Sequence, residues 1–151
     1  MNCQNITITD ASPDDLQDIL DLLAHVQLPP DGVAENAGAF LVAKDESSRL
    51  VATIGLELHG HTALLRSAAV ALEYQGCGIG SRLTEQLLER ATKNGVERVV
   101  LLTTTASEFF ARRFGFYETS RAVFDKELAG SSEWDLPRCS TAKCMTLDLR
   151  K

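Results

Sequence analysis

The sequence predicts an α+β fold with a mixed, mostly antiparallel sheet, and three observations carry that expectation. Short apolar or alternating runs of strand length recur near residues 5–9, 40–43, 50–58 and 62–71. Two longer stretches, 13–26 and the one opening at Ile79, place their apolar residues at helical spacing. The rhythm then changes: antiparallel-looking strands fill the first half, and helix alternates with strand after the glycines at 76, 78 and 80.

Each element has a local reason. Asn5–Thr9 alternates as a short strand. Ser12 and Asp15 have capping-box spacing and Pro13 suits a first helical position, so Leu16, Ile19, Leu20, Leu23 and Val26 form the apolar face of a helix. Pro29-Pro30 ends it. Residues 31–39 fit either one helical turn or a loop. Phe40–Ala43, Leu50–Leu58 and Thr62–Ala71 read as a three-stranded meander, with turns at Lys44–Ser48 and Gly60. Leu83, Leu87, Leu88 and Ala91 give the next helix its apolar face, stopped at Asn94-Gly95. Val96–Thr103 is a Val- and Leu-rich strand, 106–114 a helix ended by Gly115, and Phe116–Ser120 leads away from it. A polar loop, 129–137, precedes the last strand at 143–149. No repeat or linker divides the chain, so residues 1–151 are expected to form a single domain.

Composition narrows the function. Hydrophobic residues are 44% and charged residues 24% of 151, a globular balance. Fifteen Lys and Arg against twenty-one Asp and Glu give a charge of −6, which argues against nucleic acid as a partner. No apolar run is long enough to span a membrane, and the first ten residues lack a signal-peptide pattern. The expectation is a cytoplasmic protein with Cys3, Cys77, Cys139 and Cys144 reduced. Cys139 and Cys144 have half-site zinc spacing without a second pair, and His59 and His61 flank a glycine, so no metal is expected.

The chemistry-bearing segment is Val70-Ala71-Leu72-Glu73-Tyr74-Gln75-Gly76-Cys77-Gly78-Ile79-Gly80. A strand, a glycine turn and a helix start make an anion site, because backbone N–H groups converge where no side chain intervenes. The glycines fit neither a phosphate-binding P-loop nor a dinucleotide fingerprint. Taken alone, the turn also fits a ligand-free bend. The segment resembles the acetyl-coenzyme A loop of the GNAT N-acetyltransferases, with Gln75, Gly78 and Gly80 at its signature positions. The order of elements, down to Gly115-Phe116, is similar as well. That resemblance implies a twisted sheet flanked by helices whose fourth and fifth strands splay. Ala68, Ala69 and Val70 would meet the pantetheine amides of acetyl-CoA. Gln75, Gly76, Cys77, Gly78, Ile79, Gly80 and Ser81 would hold its pyrophosphate.

Leu64-Leu65-Arg66-Ser67, Leu101–Ala106, Phe109-Phe110 and Cys139–Met145 further resemble the arsenic-resistance-associated branch of that family. The implied acceptor is a small-molecule amine, amino-acid-like organoarsenicals or phosphinates among them. Protein N-terminal or lysine acetylation and a non-catalytic acyl-CoA module are the alternatives. Several family members dimerise through their final strands, which extends the expectation of a homodimer here.

Attack on a thioester needs a neutral amine. An ordinary alkylamine, with a pKa near ~10.4, is neutral in about one molecule in a few thousand at pH 7, so a base helps. Glu57, late in the third strand, is the candidate, directly or through water; a solvated carboxylate on a strand face is the other reading. Arg66, among apolar neighbours, fits either substrate binding through an acid group or an internal ion pair with Glu57. Thr103 fits either substrate binding or capping of the following helix. The helix before Gly115-Phe116 carries Phe109, Phe110 and Ala111 but no Tyr, so the general acid that many members use there is absent.

Overall fold

The computed structural model describes residues 5–131, 133–135 and 142–149. β1 (Thr7–Asp10) passes through a 3-10 turn at Pro13–Asp15 into α1 (Leu16–His25). α2 (Val33–Asn36) and a 3-10 turn precede β2 (Phe40–Lys44), β3 (Leu50–His59) and β4 (Thr62–Val70). α3 (Ile79–Lys93), β5 (Arg98–Thr103), α4 (Ser107–Phe114), β6 (Tyr117–Thr119) and β7 (Lys143–Asp148) complete the chain. The strands form one sheet in the order β1-β2-β3-β4-β5-β7-β6. Its one parallel pair is β4 with β5, and the outer ladders are antiparallel. The α+β, mostly antiparallel architecture expected from the sequence is the one observed.

Packing gathers the chain into two compact units. One runs to Leu56 and takes in Ser67–Glu89; the other holds Glu57–Arg66 and the residues from Arg90 on. In the first, β2 and β3 are buried almost throughout, which suits their continuous apolar runs. Phe40 stands opposite Gly55, and a Cβ at Gly55 would lie 2.3 Å from the Phe40 ring. Glycine is required there because the ring occupies the space of a side chain. Ser12 and Asp15 form the expected capping box, the Ser12 N–H donating to Asp15 at 2.8 Å. The same carboxylate pairs with Lys44 at 2.8 Å. The undecided stretch at 31–39 resolves into α2, entered through Gly32 at φ +80°, and a 3-10 turn.

In the second unit, β4 and β5 pair in register from Thr62↔Arg98 to Leu65↔Leu101. Two residues beyond that ladder, Ser67 takes φ +58°, a left-handed conformation inside a strand. α4 ends at Gly115 (φ +81°), whose N–H bonds to Ala111, while the Phe116 N–H reaches Phe110 in a Schellman-type closure. Phe109, Phe110, Phe114 and Phe116 meet edge to face in pairs.

The sequence suggests only a polar loop before the last strand. Instead, residues 121–131 wind in successive turns, and Phe124, Leu128 and Trp134 enter a core shared with Leu64, Val100 and Cys144. The Trp134 indole N–H donates to Asp125 at 3.0 Å, and the Arg121 guanidinium lies 4.4 Å from the centre of its ring.

Burial pushes the Asp15 carboxyl up, but the hydrogen bonds from Lys44 and Ser12 outweigh it and hold it below the ordinary value of 3.8. A carboxyl shifted down contributes stability above its unfolded pKa and loses it as pH falls through the folded one. Lys44→Met is expected to cost about 1–2 kcal/mol near pH 7. In urea unfolding followed against pH, the gap from the parent should narrow below about 3.8 and not above it.

Candidate functional site

The glycine segment is built as an anion cradle. β4 ends at Val70, a 3-10 turn covers Leu72–Tyr74, and α3 starts at Ile79. Gly76 and Gly78 adopt φ +88° and +79°, conformations that other residues reach only under strain. A Cβ at either would meet nothing within 4 Å, so backbone conformation, not crowding, selects glycine. The Arg82 N–H bonds back to the Gly78 carbonyl at 3.1 Å, leaving the amides of Ile79, Gly80 and Ser81 as the orphan donors of a helix start. Fifteen residues of α3 stand behind those donors, oriented so that the positive end of the helix dipole points out through them.

The cradle is fastened from its flanks. Gln75 Nε2 donates to the Val70 carbonyl at 3.1 Å, tying the loop to the end of β4. The Tyr74 hydroxyl donates to Asp45 at 3.2 Å, and Asp45 also accepts from the Ser47 and Arg49 amides. The Arg49 amide is the main reason the Asp45 carboxyl sits below its ordinary range. Burial and the bond to that carboxylate raise the Tyr74 phenol, so it remains a donor at neutral pH. Ala68, Ala69 and Val70 lie in the last stretch of β4, beyond Ser67.

Cys77 sits in this loop and is disulfide-bonded, a correction to the expectation of reduced thiols. Which sulfurs meet depends on chain proximity, which cysteine counting cannot supply. Its N–H contacts the Tyr74 carbonyl at 3.4 Å, so Cys77 helps shape the turn as well as standing in the cradle. Cys3 and Cys139 lie outside the described residues. Cys144 is free and buried, and desolvation pushes its thiol up to about 11, so it stands as a neutral thiol at neutral pH. Among the described residues, no group of three or more His, Cys, Asp or Glu is placed to hold a metal. None of their helices is long and apolar enough to cross a membrane.

A second cluster forms where β3 ends and β4 begins. Arg66 has a side-chain exposure of 0%, and its Nη1 donates to Glu57 at 2.6 Å. Glu133, from the turn at 133–135, approaches Arg66 Nε at 3.7 Å. The other Glu57 oxygen meets His59 Nε2 at 3.2 Å; Glu57 and His59 are two apart on a strand and so share a face. Of the two sequence readings of Arg66, the ion pair with Glu57 describes its contacts. Glu57 is likewise enclosed rather than solvated. In the sequence the Glu-x-His spacing on a strand signals His59 as a partner of Glu57, whereas no local pattern points to Glu133. Thr103 accepts from the Thr105 and Ala106 amides at 3.3 and 2.9 Å, bracing the turn that enters α4.

These elements match known proteins. The model of the acetyltransferase (GNAT) family covers residues 6–116. Rv2747 from Mycobacterium tuberculosis, solved in complex with CoA and NLQ, is 26% identical, with a TM-score of 0.78 over 95% of this chain and 99% of that one. An acetyltransferase from Streptococcus agalactiae shares the fold at 21% identity and TM-score 0.77, over 97% and 99% of the two chains. N-acetylglutamate synthase from Neisseria gonorrhoeae, complexed with coenzyme A and L-arginine, aligns at 20% identity and TM-score 0.76, over 97% of this chain but 34% of the synthase. No curated protein matches the chain.

Removing one partner of an enclosed ion pair strands the other charge, at about 3–5 kcal/mol. Arg66→Met should therefore lower stability by that order in chemical denaturation. Adding Glu57→Gln to it should recover part of the loss, since the stranded carboxylate is gone.

Proposed function

The chain belongs to the acetyltransferase (GNAT) family, and from that premise we propose that it acts as one catalytic domain moving the acetyl group of acetyl-CoA onto a small-molecule amine. The observation that carries the reading is the cradle itself, two left-handed glycines set against the start of a fifteen-residue helix. Residues 75–81 hold the coenzyme's pyrophosphate, and the backbone of Ala68–Val70 meets the pantetheine amides. The complex of Rv2747 with CoA supports this assignment.

The acceptor is an amino-acid-like compound, organoarsenicals and phosphinates being the class that the arsenic-resistance-associated resemblance supports. A small substrate is favoured over a protein one by the 121–131 segment. Its Phe124 and Leu128 pack with Trp134 on Leu64 and Val100, covering that part of β4 and β5.

In the reaction, the neutral amine attacks the thioester carbon, and the carbonyl oxygen becomes an oxyanion held by the backbone N–H near Val70. The carbon–sulfur bond then breaks and releases the coenzyme thiolate. A thiol of pKa near ~8.5 is a tolerable leaving group, so water protonates it without a tyrosine in α4. Glu57 serves as base for the amine. Arg66 holds that carboxylate in place, and Thr103 keeps the turn into α4 closed beside the acceptor.

Thiol release from acetyl-CoA, measured over amino acids, amino-phosphinates, amino-organoarsenicals, polyamines and peptides, tests the assignment. Release is expected with a small amino acid analogue and not with peptides. Gly78→Glu should abolish coenzyme A binding in calorimetry by charging and filling the cradle while leaving the protein folded. Undiminished binding by that variant would place the coenzyme elsewhere.

A further inference from the structure

Acetylation of a protonated amine does not balance without a proton exit. The ammonium carries three hydrogens on nitrogen, the amide product keeps one, and the departing thiolate takes one. The third leaves as a proton in every turnover. Glu57 is poorly placed to hand that proton to water, because its side chain is only 4% exposed. Arg66 covers one oxygen, and the guanidinium is itself flanked by Glu133 from the neighbouring turn.

The other oxygen leads outward. His59 Nε2 lies 3.2 Å from Glu57 Oε1, and the His59 side chain is 20% exposed, more than Glu57, Arg66 or Glu133. We propose that His59 is the proton exit of the reaction, accepting from Glu57 at Nε2 and releasing to water from Nδ1. The inference rests on the amine-acetylation reading and deepens it. Imidazole can carry a proton on either ring nitrogen, so it can accept at one and release at the other. Amine nitrogen to Glu57, Glu57 to Nε2 and Nδ1 to water sum to the one proton the chemistry must lose. The ring then returns to its starting tautomer by exchange with solvent. His59 touches neither acceptor nor thioester in this scheme, so it is a positioning and relay residue rather than a catalytic one.

The test uses the full-length protein, acetyl-CoA and the amine that the parent turns over fastest in the panel above. His59→Ala and His59→Gln are compared in a non-transferring buffer and again with added imidazole. Gln keeps a hydrogen-bonding side chain beside Glu57 but cannot carry a proton. Both variants should lose about tenfold or more in kcat with little change in KM for acetyl-CoA. Imidazole should restore His59→Ala in proportion to its concentration while leaving the parent unchanged. Full activity in His59→Gln would reduce the histidine to a structural hydrogen bond and overturn the relay. A deficit that no imidazole concentration relieves would overturn it too. Silence of the parent with every amine would instead remove the acetylation reading on which the relay stands.

Discussion

A guanidinium without exposed surface governs this molecule more than any other single group. Water cannot solvate Arg66, so carboxylates must, and two of them come from separate places in the sequence: Glu57 on β3 and Glu133 on the turn after Leu128. Enclosing these charges is expensive, and an apolar replacement of equal volume is often no less stable. The ion pair therefore accounts for position rather than for stability. It turns the Glu57 carboxylate inward, away from bulk water, and leaves one oxygen for the His59 imidazole. Glu57's relation to solvent follows from that arrangement.

Much of this was legible in the residues, for identifiable reasons. Strands and helices with one clear period, such as α3 with Leu83, Leu87 and Ala91, announce themselves because burial repeats with the backbone. The glycine cradle is legible because only a few backbone conformations need glycine twice in three residues. What stayed hidden depends on contacts across long sequence separations. Residues 129–137 read as a polar loop, and Phe124, Leu128 and Trp134 follow no regular period; they are core residues only once Leu64 and Val100 are beside them. Arg66 could be read two ways until its partners were placed. The disulfide at Cys77 was likewise invisible to counting.

The glycine loop shows how little sequence is needed to present a row of main-chain donors. Gly76 and Gly78 supply the curvature, and α3 supplies the donors. Gln75, Tyr74 and Asp45 fix the loop to β4 and to the turn between β2 and β3. Because the donors are main-chain amides, many side chains could stand here without altering them, and few could replace the two glycines. That division explains why a short spacing rule identifies the loop when overall identity to known structures is low.

Ser67 carries a different sort of information. It is buried, lies inside a strand and has φ +58°, where a side chain costs about 1–2 kcal/mol relative to glycine. Glycine would relieve that cost but would also enlarge the unfolded ensemble, giving back about 0.4–1 kcal/mol. The second offsets about half of the first, so glycine is favoured over serine here by less than about 1 kcal/mol, and asparagine or aspartate are the other tolerable residues. Valine, isoleucine and threonine, the residues a strand ordinarily welcomes, are shut out by their branched β-carbons. Among descendants of this sequence, position 67 should wander within a very short alphabet even while the strand around it drifts freely.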